Sequence, residues 1–308
     1  MRIAVIDCGT NTFHLLIADV TGDKWKFLVR KKRVVKLGSG RKVPDLISEN
    51  AAARAIAIMQ QYRAIIDHYQ PDKILTAGTA ALRDARNGKT LLKSIQDTSG
   101  IKVKLITGEE EALLIARGVQ AAIPMDDSVN LVMDIGGGST EFILCNSKKV
   151  VWKHSFRLGA ARLLVDLQPS DPFSTGDVKR MNLLLEEQLK PLTTAIKLYH
   201  PARLVGASGS FDTFASILQH KKGTPNALRG KTHYHFKLSE YHRLHKELLG
   251  STYHERLKIP GMLRMRADMI VVASLLLSFV LRNYQLNQLE LSSYALKEGL
   301  LAGALKSK

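Results

Sequence analysis

The sequence predicts an α/β protein of two domains, each a mixed β-sheet flanked by helices. Three observations carry this. Strand and helix patterns alternate along the chain. The length, 308 residues with 45% hydrophobic side chains, suffices for two cores rather than one. One strand–turn–strand passage also occurs twice, as IDCGTNTFHLLI at 6–17 and as MDIGGGSTEFIL at 133–144, the mark of a duplicated supersecondary unit.

The first passage opens with an apolar strand at 3–6 and a polar Gly-containing turn, then a strand at 13–20, and so reads as a β-hairpin. A third strand is expected at 25–35 and a loop at 37–40. Residues 48–69 have apolar groups at helical spacing behind Ser48, a capping residue. A strand at 73–77, helices at 79–86 and 90–98, a strand at 102–106 and a helix at 109–122 follow. The repeat then returns with strands at 130–134 and 140–145. Beyond it the pattern gives helices at 159–167 and 177–199, a strand at 203–205, and a helix at 211–218. A buried helix at 266–284, a strand at 289–291 and a helix at 293–305 complete the order. The repeat sets the expected domains at 1–124, joined by the terminal helix 293–308, and at 125–292.

The formal charge is +17, from 45 Lys and Arg against 28 Asp and Glu. Such a field concentrates anions, whether phosphorylated substrates, nucleic acid or an anionic membrane surface. Two stretches hold much of it: 21–42 has nine Lys/Arg and one Asp, and 219–258 has nine Lys/Arg, three Glu and six of the ten His. Either could line a path for a polyanion, with Lys31, Lys32 and Arg33 as test positions. No aromatic stacking platform or basic recognition helix points to nucleic acid as the partner. The longest apolar run, 269–281, is shorter than the ~20 residues a bilayer span requires. With no signal-peptide pattern at the N-terminus, a cytoplasmic protein with no membrane partner is expected. Cys8 and Cys145 lie in apolar runs and read as buried, reduced thiols.

The chemistry concentrates in the repeat. Asp7 and Asp134 stand at the same place, where an apolar strand ends and a turn of small residues begins. Consecutive backbone N–H groups in such turns form anion-binding concavities. The carboxylates would meet phosphate only through a bridging cation, and Mg²⁺ binds few protein carboxylates while keeping waters and phosphate oxygens. Gly206-Ala-Ser-Gly-Ser210 follows a strand and precedes a helix, where free N–H groups and the helix dipole favour an anion. Glu109, Glu110 and Glu111 open a helix behind Thr107. Capping and dipole complementation account for one or two of them. A third suits the acceptance of a proton from attacking water. Arg83 could stabilise charge developing on a transferred phosphoryl group.

With these residues in place the sequence resembles the exopolyphosphatase and guanosine-pentaphosphate phosphohydrolase family. The matching segments are 4–17, TAALRDARN at 79–87, ITGEEEALLIARGV at 106–119, 132–144, GASGS at 206–210 and YALKEGLL at 294–301. The resemblance implies two actin-like (ribonuclease H-like) domains with an interdomain cleft in which the twin hairpins meet one cation-bridged anion. It implies release of terminal orthophosphate from inorganic polyphosphate, or from guanosine pentaphosphate, with Mg²⁺ or Mn²⁺ in its place, by a homodimer. By motif position Glu111 resembles the family's catalytic base, and Arg83 the arginine on the substrate phosphate. Gly9, Thr10, Asn11, Gly136, Gly137, Gly138, Ser139 and Thr140 would contact phosphate, as would Gly206, Ser208 and Gly209 in the third loop. Asp7, Asp134 and Glu141 would serve the metal. The chain looks like a short, two-domain form. An actin-like kinase, which would show acceptor-dependent turnover, and a non-catalytic polyanion-binding protein remain as readings from other classes.

Overall fold

The structure is a computed structural model that describes residues 1–22, 24–38 and 45–305, with Leu305 described by its backbone alone. The loop expected at 37–40 lies partly outside the described residues. The chain divides into two compact units, Met1–Gly118 with Leu296–Lys308, and Val119–Ala295.

In the first unit the strands are β1 (Arg2–Cys8), β2 (Thr12–Thr21), β3 (Lys24–Val34) and β4 (Lys73–Gly78), with helices α1 (Glu49–Tyr69), α2 (Ala80–Asp84), α3 (Gly88–Ser99) and α4, which runs over Gly108–Ala122 and through the boundary between units. Sheet order is β3-β2-β1-β4. β1 to β3 are antiparallel and β4 is parallel to β1. The pleat sends alternate side chains to opposite faces. One face packs Ala4, Ile6, Leu15 and Ile17 against α1 and α3. The other packs Ile3, Val5, Leu16 and Ala18 with Leu301 of the last helix. Ser48 caps α1 as expected, accepting from the Ala51 N–H.

The strand expected at 102–106 does not form. Leu105 alone bridges Gly78. The Thr76 hydroxyl intervenes, donating to the Lys102 carbonyl at 2.9 Å and accepting from the Lys104 N–H at 2.9 Å. A side chain has taken the ladder's hydrogen bonds.

In the second unit β5 (Asn130–Ile135), β6 (Thr140–Cys145) and β7 (Val150–Phe156) repeat the meander of β1 to β3. Then come α5 (Ala160–Leu167), α6 (Thr175–Gln188), α7 (Lys190–Tyr199), β8 (Leu204–Ala207), α8 (Ser208–Lys221), β9 (His233–Phe236), α9 (Leu238–Gly250), α10 (Tyr253–Arg256), a 3₁₀ turn at Arg264–Arg266, α11 (Ile270–Asn283) and β10 (Leu289–Ser292). The sheet order is β7-β6-β5-β8-β10-β9. The single helix expected at 177–199 is two, because Pro191 lacks an N–H and restarts the helix after Leu189. Its true start is Ser174, which forms a reciprocal capping box with Asp177. The helix expected from 266 begins at Ile270 instead, leaving Arg266 in the tight turn ahead of it.

α12 (Leu296–Leu305) returns the chain to the first unit. It lies against α4, with Gly299 so close that a Cβ there would sit 1.7 Å from the Leu114 carbonyl oxygen. Gly299→Ala should therefore destabilise the fold by about 1–3 kcal/mol through overpacking. A fall in the urea midpoint checks this, and an unchanged midpoint would deny the close fit.

Candidate active site

The first-unit hairpin turns through Gly9, Thr10 and Asn11. The Gly9 N–H donates to the Thr12 carbonyl at 3.0 Å. The Thr10 carbonyl accepts from the Leu37 N–H, and that of Asn11 from Val35 and Lys36. A peptide's N–H points opposite to its C=O. The N–H groups of Asn11 and Thr12 therefore face away from the 35–37 segment. Thr10, Asn11 and Thr12 are buried. The Tyr62 hydroxyl of α1 donates to the Phe13 carbonyl at 2.8 Å and pins the hairpin's root.

The second-unit hairpin follows the same rule with different parts. The N–H groups of Ala160, Ala161 and Arg162, at the start of α5, donate to the carbonyls of Gly136 and Gly137. Arg162 Nε donates to the Gly138 carbonyl at 3.0 Å. A helix N-terminus has thus taken the turn's carbonyls. The N–H groups of Gly137, Gly138 and Ser139 consequently point away from α5. Gly159 allows this docking, since a Cβ there would fall 2.4 Å from the Gly137 carbonyl. Thr140 Oγ donates to the Leu158 carbonyl at 2.8 Å and locks the turn's end.

Asp134 and Glu141 are register partners on β5 and β6, which sets their Cβ atoms about 5 Å apart on one face. Both are buried. Ser208 Oγ donates to Asp134 Oδ2 at 2.6 Å, and Ser155 Oγ to Glu141 Oε1 at 2.6 Å. Among the described residues no set of three or more His, Cys, Asp or Glu side chains forms a metal cage. Two adjacent buried carboxylates fit Mg²⁺ or Mn²⁺ in the mode that takes one or two carboxylates and leaves the rest of the shell to water and phosphate. Asp7, in the other unit, ends β1 at the equivalent place.

The third loop connects β8 to α8. Ser208 has φ +70°, a left-handed conformation that costs a residue with a Cβ about 1–2 kcal/mol. Its hydroxyl then reaches Asp134. Sequence reasoning missed the group beside it. Arg266 is 6% exposed, and its guanidinium presses on the start of α8, where a Cβ on Gly209 would lie 2.4 Å from Nη2. Burial lowers its pKa, while Asp212, Asp134 and Asp268 act to raise it. Arg266 Nε and Ser210 Oγ are buried without hydrogen-bond partners. Two idle donors beside a helix N-terminus suit an anion. Arg256 steadies this turn from behind, donating from Nε to the Ala267 carbonyl at 2.7 Å and from Nη2 to Asp171 Oδ1 at 2.9 Å. The available signal was a charge in front of the chain's most apolar helix, where an arginine must find a purpose or partners.

Three adjacent glutamates on α4 have three settings. Glu110 accepts from the Thr107 N–H at 2.8 Å while Thr107 Oγ accepts from the Glu110 N–H at 3.1 Å, a capping box. Glu109 is exposed. Glu111 is buried, with Oε2 3.7 Å from Arg83 Nη1. Arg83 is oriented by the Ile106 carbonyl, 3.1 Å from Nη1, and by Asp84, 3.2 Å from Nε. The two residues expected to carry catalysis are therefore neighbours, although 28 positions separate them in the chain. Cys8 and Cys145 are buried and free, and burial raises both thiol pKa values, that of Cys145 to about 12.

A model of the Ppx/GppA phosphatase family matches residues 16–308. Exopolyphosphatase 2 of Mycobacterium tuberculosis is 30% identical over 227 residues, 71% of each chain. The crystal structure of an exopolyphosphatase from Cytophaga hutchinsonii superposes with a TM-score of 0.96 at 42% identity, covering 99% of this chain and 98% of that one. The Aquifex aeolicus member of the Ppx/GppA family shares the fold, with a TM-score of 0.81 at 24% identity over 99% and 98% of the two chains.

Proposed function

Because this chain belongs to the Ppx/GppA phosphatase family, we propose that it is an exopolyphosphatase, which releases terminal orthophosphate from inorganic polyphosphate with Mg²⁺ or Mn²⁺. That it is a phosphoanhydride hydrolase follows from the family itself. The observation that carries the finer reading is the buried Glu111 carboxylate beside the half-buried Arg83.

Water attacks the terminal phosphorus as the bridging P–O bond breaks. Glu111 orients the water and takes its proton, and the shortened chain leaves with the bridging oxygen. Arg83 meets the negative charge on the transferred group. In the first unit the N–H groups of Asn11 and Thr12 hold phosphate oxygens, and in the second those of Gly137, Gly138 and Ser139 do, with the start of α8 and Arg266. Asp134 and Glu141 would hold the divalent cation, whose charge neutralises phosphate oxygens when bound, and Asp7 stands at the equivalent position of the first unit. A cytoplasmic location, expected from the sequence, and a homodimer, implied by the resemblance, belong to the same proposal, and a sedimentation mass twice that of one chain checks the second. Among the described residues no helix is long and apolar enough to cross a membrane.

Orthophosphate release should be measured from long-chain polyphosphate, tripolyphosphate and guanosine pentaphosphate. We expect release from polyphosphate that stops on chelation and returns with Mg²⁺ or Mn²⁺. Release from guanosine pentaphosphate alone would transfer the assignment to that nucleotide. No release from any of the three would reject the proposal.

A further inference from the structure

The two copies of the repeat carry different chemistry at equivalent positions. Across β5, β6 and β7 one register row reads Asp134, Glu141, Ser155. Across β1, β2 and β3 the matching row reads Asp7, His14, Lys32. Partners in such a row share a face of the sheet. The second unit therefore sets a carboxylate and a hydroxyl beside its aspartate, which suits a cation. The first sets an imidazole and an ammonium there, which suits an anion.

The next row inward reads Val5, Leu16, Arg30, so Arg30 shares the face of Asp7 and Lys32. Lys31 and Arg33 pair with Leu15 and Phe13 and belong to the opposite face, the one that carries α1, where both are exposed. A contact independent of register agrees: the Arg30 guanidinium lies 3.8 Å over the Phe27 ring, which packs on the Ile3 and Val5 side. β3 is the sheet's edge, with Arg30 exposed and Lys32 half-buried.

We propose that Arg30 and Lys32, with His14, form a cationic lane beside Asp7 that binds the inner phosphates of a polyphosphate chain and sets a preference for long substrates. This rests on the polyphosphate reading above. Two strand spacings put the Lys32 backbone about 10 Å from that of Asp7. A phosphate held at the turn by itself falls short of Arg30, whereas a chain can span the row. The basic run at 21–42 is thus divided by the pleat, and only alternate members serve the substrate.

The test compares Arg30→Gln/Lys32→Gln with Lys31→Gln/Arg33→Gln, two pairs that remove the same charge from the same strand. For the first pair we expect KM for long-chain polyphosphate to rise about tenfold at low salt, the rise shrinking as salt screens the lane. Its KM for tripolyphosphate should change far less, and the second pair should leave the long-chain value near wild type. Equal effects of the two pairs, or equal effects on both substrates, would overturn the lane. If the wild-type protein releases no phosphate, the functional reading fails separately. The lane is then judged by equilibrium binding of long-chain polyphosphate to the same proteins. Selective weakening in the first pair supports it, and unchanged or equal binding overturns it.

Discussion

Glu111→Ala will lower kcat for orthophosphate release by about 100-fold or more while KM stays near the wild-type value. The physical case is local. Glu110 is committed to the Thr107 capping box, and Glu109 is exposed. Glu111 alone is buried with an oxygen near a guanidinium, 3.7 Å from Arg83 Nη1. A base that acts only as the water is deprotonated contributes to the transition state and little to the bound ground state. The three glutamates thus supply an internal control. Glu109→Ala should retain turnover. Glu110→Ala should cost about 1 kcal/mol of stability through the lost cap, with little change in kcat. Retained turnover in Glu111→Ala would remove it from the role of base.

Arg266→Met will lower kcat/KM by about 100- to 1,000-fold. The guanidinium lies against Gly209 at the N-terminus of α8 with Nε buried and unbonded, and the hydroxyl of Ser210, the next residue, is equally idle. A buried donor without a partner is costly, and a phosphate oxygen there would satisfy it. Gly209→Ala is the companion variant. It keeps the charge but places a Cβ 2.4 Å from Arg266 Nη2, so the guanidinium must move. The two variants should lose activity together, with a raised KM and with folding verified by a cooperative thermal transition. Full activity in a folded Arg266→Met protein would show that this arginine serves the fold alone.

Much of this was legible in the chain. The duplicated hairpin, the helix capped by Ser48, the three loops and the surplus glutamate were all carried by local signals: periodicity, turn chemistry and motif order. β7 was missed although the repeat pointed to it, since β5–β6–β7 copies β1–β2–β3. β9 was hidden because His233–Phe236 reads as part of a basic, histidine-rich run, and its strand form depends on pairing with β10 far along the chain. The strand expected at 102–106 was lost to one threonine hydroxyl, a competition that periodicity does not register.

The sequence by itself determined the class of the fold, the family, and the residue types that could carry hydrolysis, because strand and helix periodicity and turn composition are properties of neighbours in the chain. Only the tertiary structure decided which glutamate of three faces Arg83, that Arg266 reaches the third loop, and which half of a basic strand shares a face with Asp7. Those outcomes depend on register and on packing between distant segments. A shift of one residue in a strand exchanges its two faces while leaving the composition unchanged.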